Sequence, residues 1–281
     1  MDMEQSRSGS CQKLLTSQSK TPRTDYSGIH PADGCTFSFN RVLLESNAPS
    51  YNEHLRLAER YLQFDIPALM KVIAAASGHA TSDIVSFYKM AEGGFNRLFQ
   101  ATFTDGKHVI VRLPYPSTVP EQYTVASEAA TLDYLRLHGI PTPEVYASCS
   151  TKANPVGAEY IIMEKLDGIP LGEIWYTMTP KQQQKIMKQI VQWETRFMSL
   201  EFPAYGSLHY QKDVPTERKV PLPSHNGKFC IGPMAHYMWW RGERSILDID
   251  RGPCELPYDE HPGQLVNCNR VIINRFVSGR W

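Results

Sequence analysis

From Leu55 onward the apolar positions fall into runs of two different periods. Asn52 is placed to cap a helix carrying Leu55, Ala58 and Leu62. Asp65, with Pro67 in the first turn, opens a second helix whose Leu69, Val72, Ile73 and Ala76 share one face as far as Gly78. The pattern then changes to that of strands. Ile84 to Tyr88 leads into Gly93-Gly94-Phe95-Asn96, and Leu98 to Phe103, the Asp105-Gly106 turn and Val109 to Leu113 complete an antiparallel meander. A helix from about Glu121 to Leu137 is closed by His138-Gly139-Ile140-Pro141. Strands fit Glu144 to Ala147 and Tyr160 to Met163. Thr179-Pro180-Lys181-Gln182 is a capping box, and Ile186, Ile190, Trp193, Phe197 and Leu200 recur behind it at helical spacing, which predicts a buried stripe. After Leu200 the chain is rich in glycine, proline and aromatics, and periodicity places no element there. Helices and an antiparallel sheet in this order predict an α+β fold.

Composition narrows the function classes. A hydrophobic fraction of 42% supports a packed core, and 29 basic residues against 29 acidic ones leave no positive field to suit nucleic acid. The six cysteines form no Cys-x-x-Cys pair, so they read as thiols and neither a disulfide framework nor a zinc site. No run of about 18 apolar residues is present to span a membrane. Residues 1–50 are rich in Ser and Thr and lack a secretory apolar segment. Arg7, Lys13, Lys20 and Arg23 would suit a mitochondrial address, whereas Asp2, Glu4, Asp25 and Asp33 suit a plain disordered leader in a cytoplasmic protein.

Three features carry candidate chemistry. The Gly93-Gly94-Phe95-Asn96 turn joins two strands, where small residues let backbone N–H groups meet phosphate oxygens; taken alone, such a turn is more often that of an ordinary hairpin. In Val109-Ile110-Val111-Arg112-Leu113, alternation puts Arg112 on the face of Ile110, as an exposed edge cation or as one that needs a partner. Glu128 lies on or beside the apolar stripe formed by Val125, Leu132 and Leu135, a costly place for a carboxylate unless a cation meets it. Arg112 is its natural partner. A glycine turn, a strand cation and a helix acid in this order form the phosphate anchor of kinase-type lobes. A dinucleotide-binding oxidoreductase is disfavoured, because these glycines sit between two strands and that motif needs strand, turn and helix.

Gly93 to Pro114, Ala126 to Val145 and Tyr160 to Gly168 resemble the amino-terminal lobe of the aminoglycoside phosphotransferase family. From about Tyr51 to Pro253, including Phe202 to Leu208 and Arg241 to Pro253, the chain resembles the fungal altered inheritance of mitochondria protein 9 branch of that family. The resemblance implies a two-lobed, protein-kinase-like fold with ATP in its cleft and a small-molecule hydroxyl as phosphate acceptor. Residues 51–163 would be a helical extension and nucleotide-binding lobe, 164–253 an incomplete carboxy-terminal lobe and 254–281 an unmatched tail. Gly93, Gly94 and Asn96 would form the loop over the phosphates, with Arg112 and Glu128 as the anchoring pair. Glu164 to Leu166 would be the linker whose backbone reads adenine. Arg112 stands where most kinases have Lys.

The resemblance also exposes an absence. The family's catalytic loop has the form His-x-Asp-x-x-x-x-Asn, followed by a metal-holding Asp, and no histidine here has Asp two residues on. His261-Pro262-Gly263 has Gly where Asp should stand, and Asp248-Ile249-Asp250 precedes the place where the loop would occur. The sequence therefore predicts no catalytic residue and no magnesium site, although complete family members use Mg²⁺, and it predicts a truncated or incorrectly ended chain. Two further readings are a non-catalytic nucleotide-binding scaffold, expected to carry a charged face, and a non-functional fragment, expected to expose apolar surface such as Met238, Trp239 and Trp240.

Overall fold

A computed structural model of the chain describes residues 53–223 and 225–254. The predicted leader, the Asn52 cap and the tail beyond Cys254 lie outside them. Helix α1 (Glu53–Glu59) is followed by α2 (Ile66–Ser77), which begins and ends at the two punctuation residues read from the sequence. The Asp65 carboxylate accepts the Ala68 N–H at 2.7 Å, and Gly78 closes the helix in the left-handed region at φ 78°. Leu62 is not a helical residue as expected: α1 stops three residues earlier, and Leu62 is buried in the link to α2.

Five strands, β1 (Ile84–Glu92), β2 (Asn96–Phe103), β3 (His108–Pro114), β4 (Val145–Cys149) and β5 (Tyr160–Glu164), form an antiparallel sheet in the order β1-β2-β3-β5-β4. Alternation assigns the two faces. Phe99, Ala101, Phe103, Val109, Val111 and Leu113 pack toward α2 in one core. Ile110, Ile161 and Met163 face the other way, against Val125, Ala129 and Leu132 of α3 (Tyr123–Leu137). The single strand β3 thus feeds both cores, one residue in two to each.

The region where periodicity was silent holds a second, three-stranded sheet. Its strands are β6 (Ser207–Tyr210), β7 (Val220–Pro221) and β8 (Phe229–Gly232), in the order β6-β8-β7. All four residues of β6 and all four of β8 are buried, so neither strand alternates. Leu208, Phe229 and Ile231 join the α3-side core. The approach is close enough that a Cβ on Gly206 would lie 2.2 Å from the Gly232 carbonyl oxygen. Gly206→Ala must therefore push two backbones apart. It is expected to lower stability by about 1–3 kcal/mol or more, read as a fall in the urea midpoint, whereas Gly94→Ala, which meets nothing within 4 Å, should leave that midpoint in place.

Helix α4 (Leu171–Ile174) is one turn, and α5 (Pro180–Met198) starts at the expected box, with the Gln182 side chain accepting from the Thr179 N–H at 2.8 Å. The buried stripe expected on α5 is not found. None of its residues is buried, Trp193 is 37% exposed, and Met187, Val191 and Met198 are exposed with it. The helix touches the body near its end, where Arg196 donates to the Gly139 carbonyl at 2.9 Å and Leu200 and Phe202 reach the α3-side core. Among the described residues no helix is long and apolar enough to cross a membrane.

Candidate functional site

Cross-strand register builds the site. Asn96 pairs with Pro114, and Leu98 pairs with Arg112, so the Gly93–Phe95 turn sits over the end of β3. Gly93 N–H is used within the turn, donating to the Asn96 carbonyl at 2.9 Å. The Phe95 carbonyl accepts from the Tyr115 N–H at 2.9 Å and from the Thr118 hydroxyl at 2.6 Å, which pins the turn from below. The amides of Gly94 and Phe95 make no backbone hydrogen bond among the described residues. Two donors of the turn are thereby left without a backbone partner among the described residues.

Arg112 projects from the α3 side of β3, and the structure brings it to Glu128. The Arg112 Nη1 and Glu128 carboxylate form an ion pair in which the two side chains are only 13% and 14% exposed. The other edge of the guanidinium is also held. With its carboxamide oxygen turned toward Arg112, Asn96 accepts from Nε at 3.1 Å and Nη2 at 2.8 Å. The cation is fixed between a helix acid and a strand amide, a planar arrangement that Lys could not reproduce. The Asn96 side chain consequently lies against Arg112, beneath the turn.

Glu164 and Leu166 stand apart from this cluster. Glu164 pairs with Val109, three positions along β3 from Arg112, or roughly 10 Å at the usual strand rise. Its N–H donates to the Glu144 carbonyl at 2.8 Å, and its carboxylate accepts from the Glu144 N–H at 3.0 Å and from Arg136 at 3.5 Å. Leu166 is 54% exposed. From Lys165 to Asp167 the backbone makes no hydrogen bond among the described residues.

A second ion pair had not been anticipated. Arg97, 2% exposed, donates to Glu92 at 2.7 Å, and Lys89 adds a contact to the same carboxylate at 3.4 Å. The pair clamps the strand ends on either side of the glycine turn, on the α2 face. The sequence signal was there: Glu92 and Arg97 flank Gly93–Asn96, as cross-strand partners of a hairpin should. Tyr115 lies under Arg97, and burial, then the Glu92 charge, pushes its hydroxyl above the ordinary tyrosine range. Elsewhere, Asp250 accepts the Gly252 N–H at 2.9 Å and Asp248 is exposed. Among the described residues no three His, Cys, Asp or Glu side chains gather as a metal ligand set.

The chain is similar to fungal proteins named altered inheritance of mitochondria protein 9. That of Lachancea thermotolerans is 25% identical over 223 residues, 72% of this chain and 35% of its own length; that of Candida albicans (strain SC5314) is 28% identical over 189 residues, 60% and 30%. A subtelomeric hrmA-associated cluster protein of Aspergillus fumigatus is 44% identical over 169 residues, 60% of this chain and 33% of that protein. The chain thus spans about a third of the length of these curated relatives. No family model matches it. The altered inheritance proteins carry the word mitochondrial in their names, which supports the mitochondrial address.

Proposed function

We propose that this chain carries the nucleotide-binding part of a protein-kinase-like, ATP-dependent phosphotransferase of the aminoglycoside phosphotransferase kind, acting on a small-molecule hydroxyl. The observation that carries the reading is the Arg112–Glu128 pair, locked by Asn96 at the foot of the Gly93–Phe95 turn, whose Gly94 and Phe95 amides have no backbone partner among the described residues. Catalysis of phosphoryl transfer is positioning and charge neutralisation, and anchoring of the phosphates needs such a fixed cation with backbone donors above it. In this reading the triphosphate lies under Gly93 and Gly94 with Arg112 as its cation, Glu128 holds that cation in place, and the adenine meets the unpaired backbone between Glu164 and Leu166.

The chemistry of transfer is not provided for by these residues. Magnesium, when bound, would neutralise charge between the phosphates, but Asp250 already accepts the Gly252 N–H and belongs to no cluster of three His, Cys, Asp or Glu among the described residues. Among the described residues, the exposed Met187, Val191, Trp193 and Met198 of α5, with Met238 and Trp239, argue against a self-sufficient scaffold with a charged face.

Calorimetry of the purified chain tests the reading. ATP should bind saturably and weakly, with the affinity changing less than about threefold on adding Mg²⁺, since one coordinating contact is worth little without its partners. Absence of saturable ATP binding would overturn the proposal. Tight binding that requires Mg²⁺ would assign a metal site to Asp248 and Asp250.

A further inference from the structure

A cavity of about 270 Å³ lies just past the end of β3, between the link joining α1 to α2 and the chain leading into α3. Its walls include Tyr61 from the link between α1 and α2, Leu62 and Ala158 of the α2-side core, and Tyr115 and Thr118 beyond β3. Thr118 is the residue whose hydroxyl braces the Phe95 carbonyl. Of the two buried polar side chains in its wall, the Thr118 hydroxyl is spent on Phe95, and Glu159 carries the charge. Glu159 is 5% exposed, and only one of its carboxylate oxygens is engaged, accepting the Gln122 N–H at 3.0 Å. The other oxygen forms no hydrogen bond among the described residues. A carboxylate this deeply placed is stable only when its charge is met, and a single backbone donor meets half of it.

The surrounding charges do not meet the rest. Glu121 and Lys152 also border the cavity, but Lys152 is spent on Glu121, at 2.6 Å on the rim. Burial, then the nearby Glu121, pushes the Glu159 carboxyl above its ordinary range, against the pull of the Gln122 amide and of Lys152. Two carboxylates against one ammonium leave the cavity negative. A divalent cation needs about six oxygen ligands, and two carboxylates with one already paired fall short. An anion would meet Glu159 head on. What fits is one cationic donor on a short apolar body, with the tyrosine rings of Tyr61 and Tyr115 beside it.

We propose that this cavity is a binding site for a small organic ammonium, held by the free oxygen of Glu159. The cavity is lined by neither Arg112, Glu128 nor Asn96, so its ligand is read apart from the nucleotide, although Thr118 in its wall also braces the glycine turn.

Titration of the full chain at neutral pH with n-butylammonium and with its neutral analogue n-butanol, followed by calorimetry or by NMR shifts, decides the matter. Butylammonium should saturate, with butanol at least about tenfold weaker, the worth of one charge-assisted hydrogen bond. Glu159→Gln keeps an oxygen for the Gln122 N–H and should lose butylammonium by about the same factor. Lys152→Ala, a half-exposed position, should strengthen it about twofold or more by removing a competing cation. Should Glu159→Gln fail to fold, the butanol comparison and Lys152→Ala still decide. Equal binding of butanol and butylammonium, or an unchanged affinity in folded Glu159→Gln, overturns the proposal. So does saturable acetate binding that vanishes in Lys152→Ala, which would make this an anion site.

Discussion

Glu128→Gln should unfold at a markedly lower urea concentration, with a loss near the lower end of the roughly 3–5 kcal/mol typical of an ion pair broken out of water. The substitution leaves Arg112 charged, mostly buried and facing an amide where a carboxylate stood. About an eighth of each side chain still meets solvent, at 13% and 14%, and Asn96 still holds the opposite edge of the guanidinium, so the loss stays at the modest end. Removing both charges is a different experiment. In Arg112→Met with Glu128→Leu no orphan charge remains, and replacing such a pair by apolar groups is often neutral. The double variant should therefore recover most of the lost stability while retaining the slope of the urea transition. It should also lose ATP. A pair kept only for stability would leave ATP binding in the double variant unchanged. If the single variant is as stable as the parent, or the double variant as unstable as the single one, the pair does not hold β3 to α3 as described.

A second large effect is expected from His209, a residue with no part in the proposed site. It is fully buried in β6, its Nε2 donates to the Pro233 carbonyl at 3.0 Å, and its Nδ1 has no partner among the described residues. Gly232 lets the ring in: a Cβ there would stand 2.8 Å from the imidazole Cδ2. Burial pushes the imidazole down from 6.5 to about 4, the Pro233 carbonyl opposing only in part. In the unfolded chain the ring takes up its proton near 6.5; in the folded chain it does so only near 4. Between those values the unfolded state binds the extra proton, so stability falls as the pH falls through that window. The full loss is roughly 3 kcal/mol, complete below about pH 4. Glu159 and Asp213, whose carboxyls burial pushes up, contribute the opposite slope. The difference between parent and His209→Gln, which keeps the donor to Pro233, therefore isolates the imidazole. That difference, from urea melts at pH 7 and pH 4.5, should shift by about 2 kcal/mol or more in favour of the variant at low pH. A difference independent of pH would contradict a neutral, buried His209.

Where local chemistry dictated structure, the sequence was readable. Asp65 and Gly78 delimit α2 because one side-chain acceptor and one left-handed residue are all its ends require. Arg112 and Glu128 could be paired on paper because strand alternation and helical spacing each place a charge against an apolar stripe, and only the other charge relieves it. Elsewhere the cause was not local. Strands β6 and β8 are buried on both faces, so alternation, the signal that reveals a strand, is absent from Ser207–Tyr210 and Phe229–Gly232. Helix α5 shows the reverse. Its Ile186, Ile190, Trp193 and Phe197 carry the full helical pattern, yet a pattern states which side is apolar and not what lies against it, and the described residues cover that side only in part, leaving none of the four buried. Glu159 escaped notice for a similar reason: a lone Glu before Tyr160 reads as a surface residue until the fold closes over it.

Because alternate residues of β3 serve opposite faces, the segment between Phe103 and His108 is under a constraint on length more than on identity. One residue gained or lost in the Asp105-Gly106 hairpin would shift the pairing with β2 by one place. Arg112 would then turn toward α2, where Val111 and Leu113 now sit, and one of those would face Glu128. Substitutions at the tip, where Asp105 and Gly106 meet solvent, leave that phase alone. Identity at the tip matters locally, since Gly106 sits at φ 85° and Asp105 meets His79 at 3.0 Å, whereas an insertion or deletion of one residue that shifts the register removes the ion pair, the core and the proposed phosphate anchor in a single step.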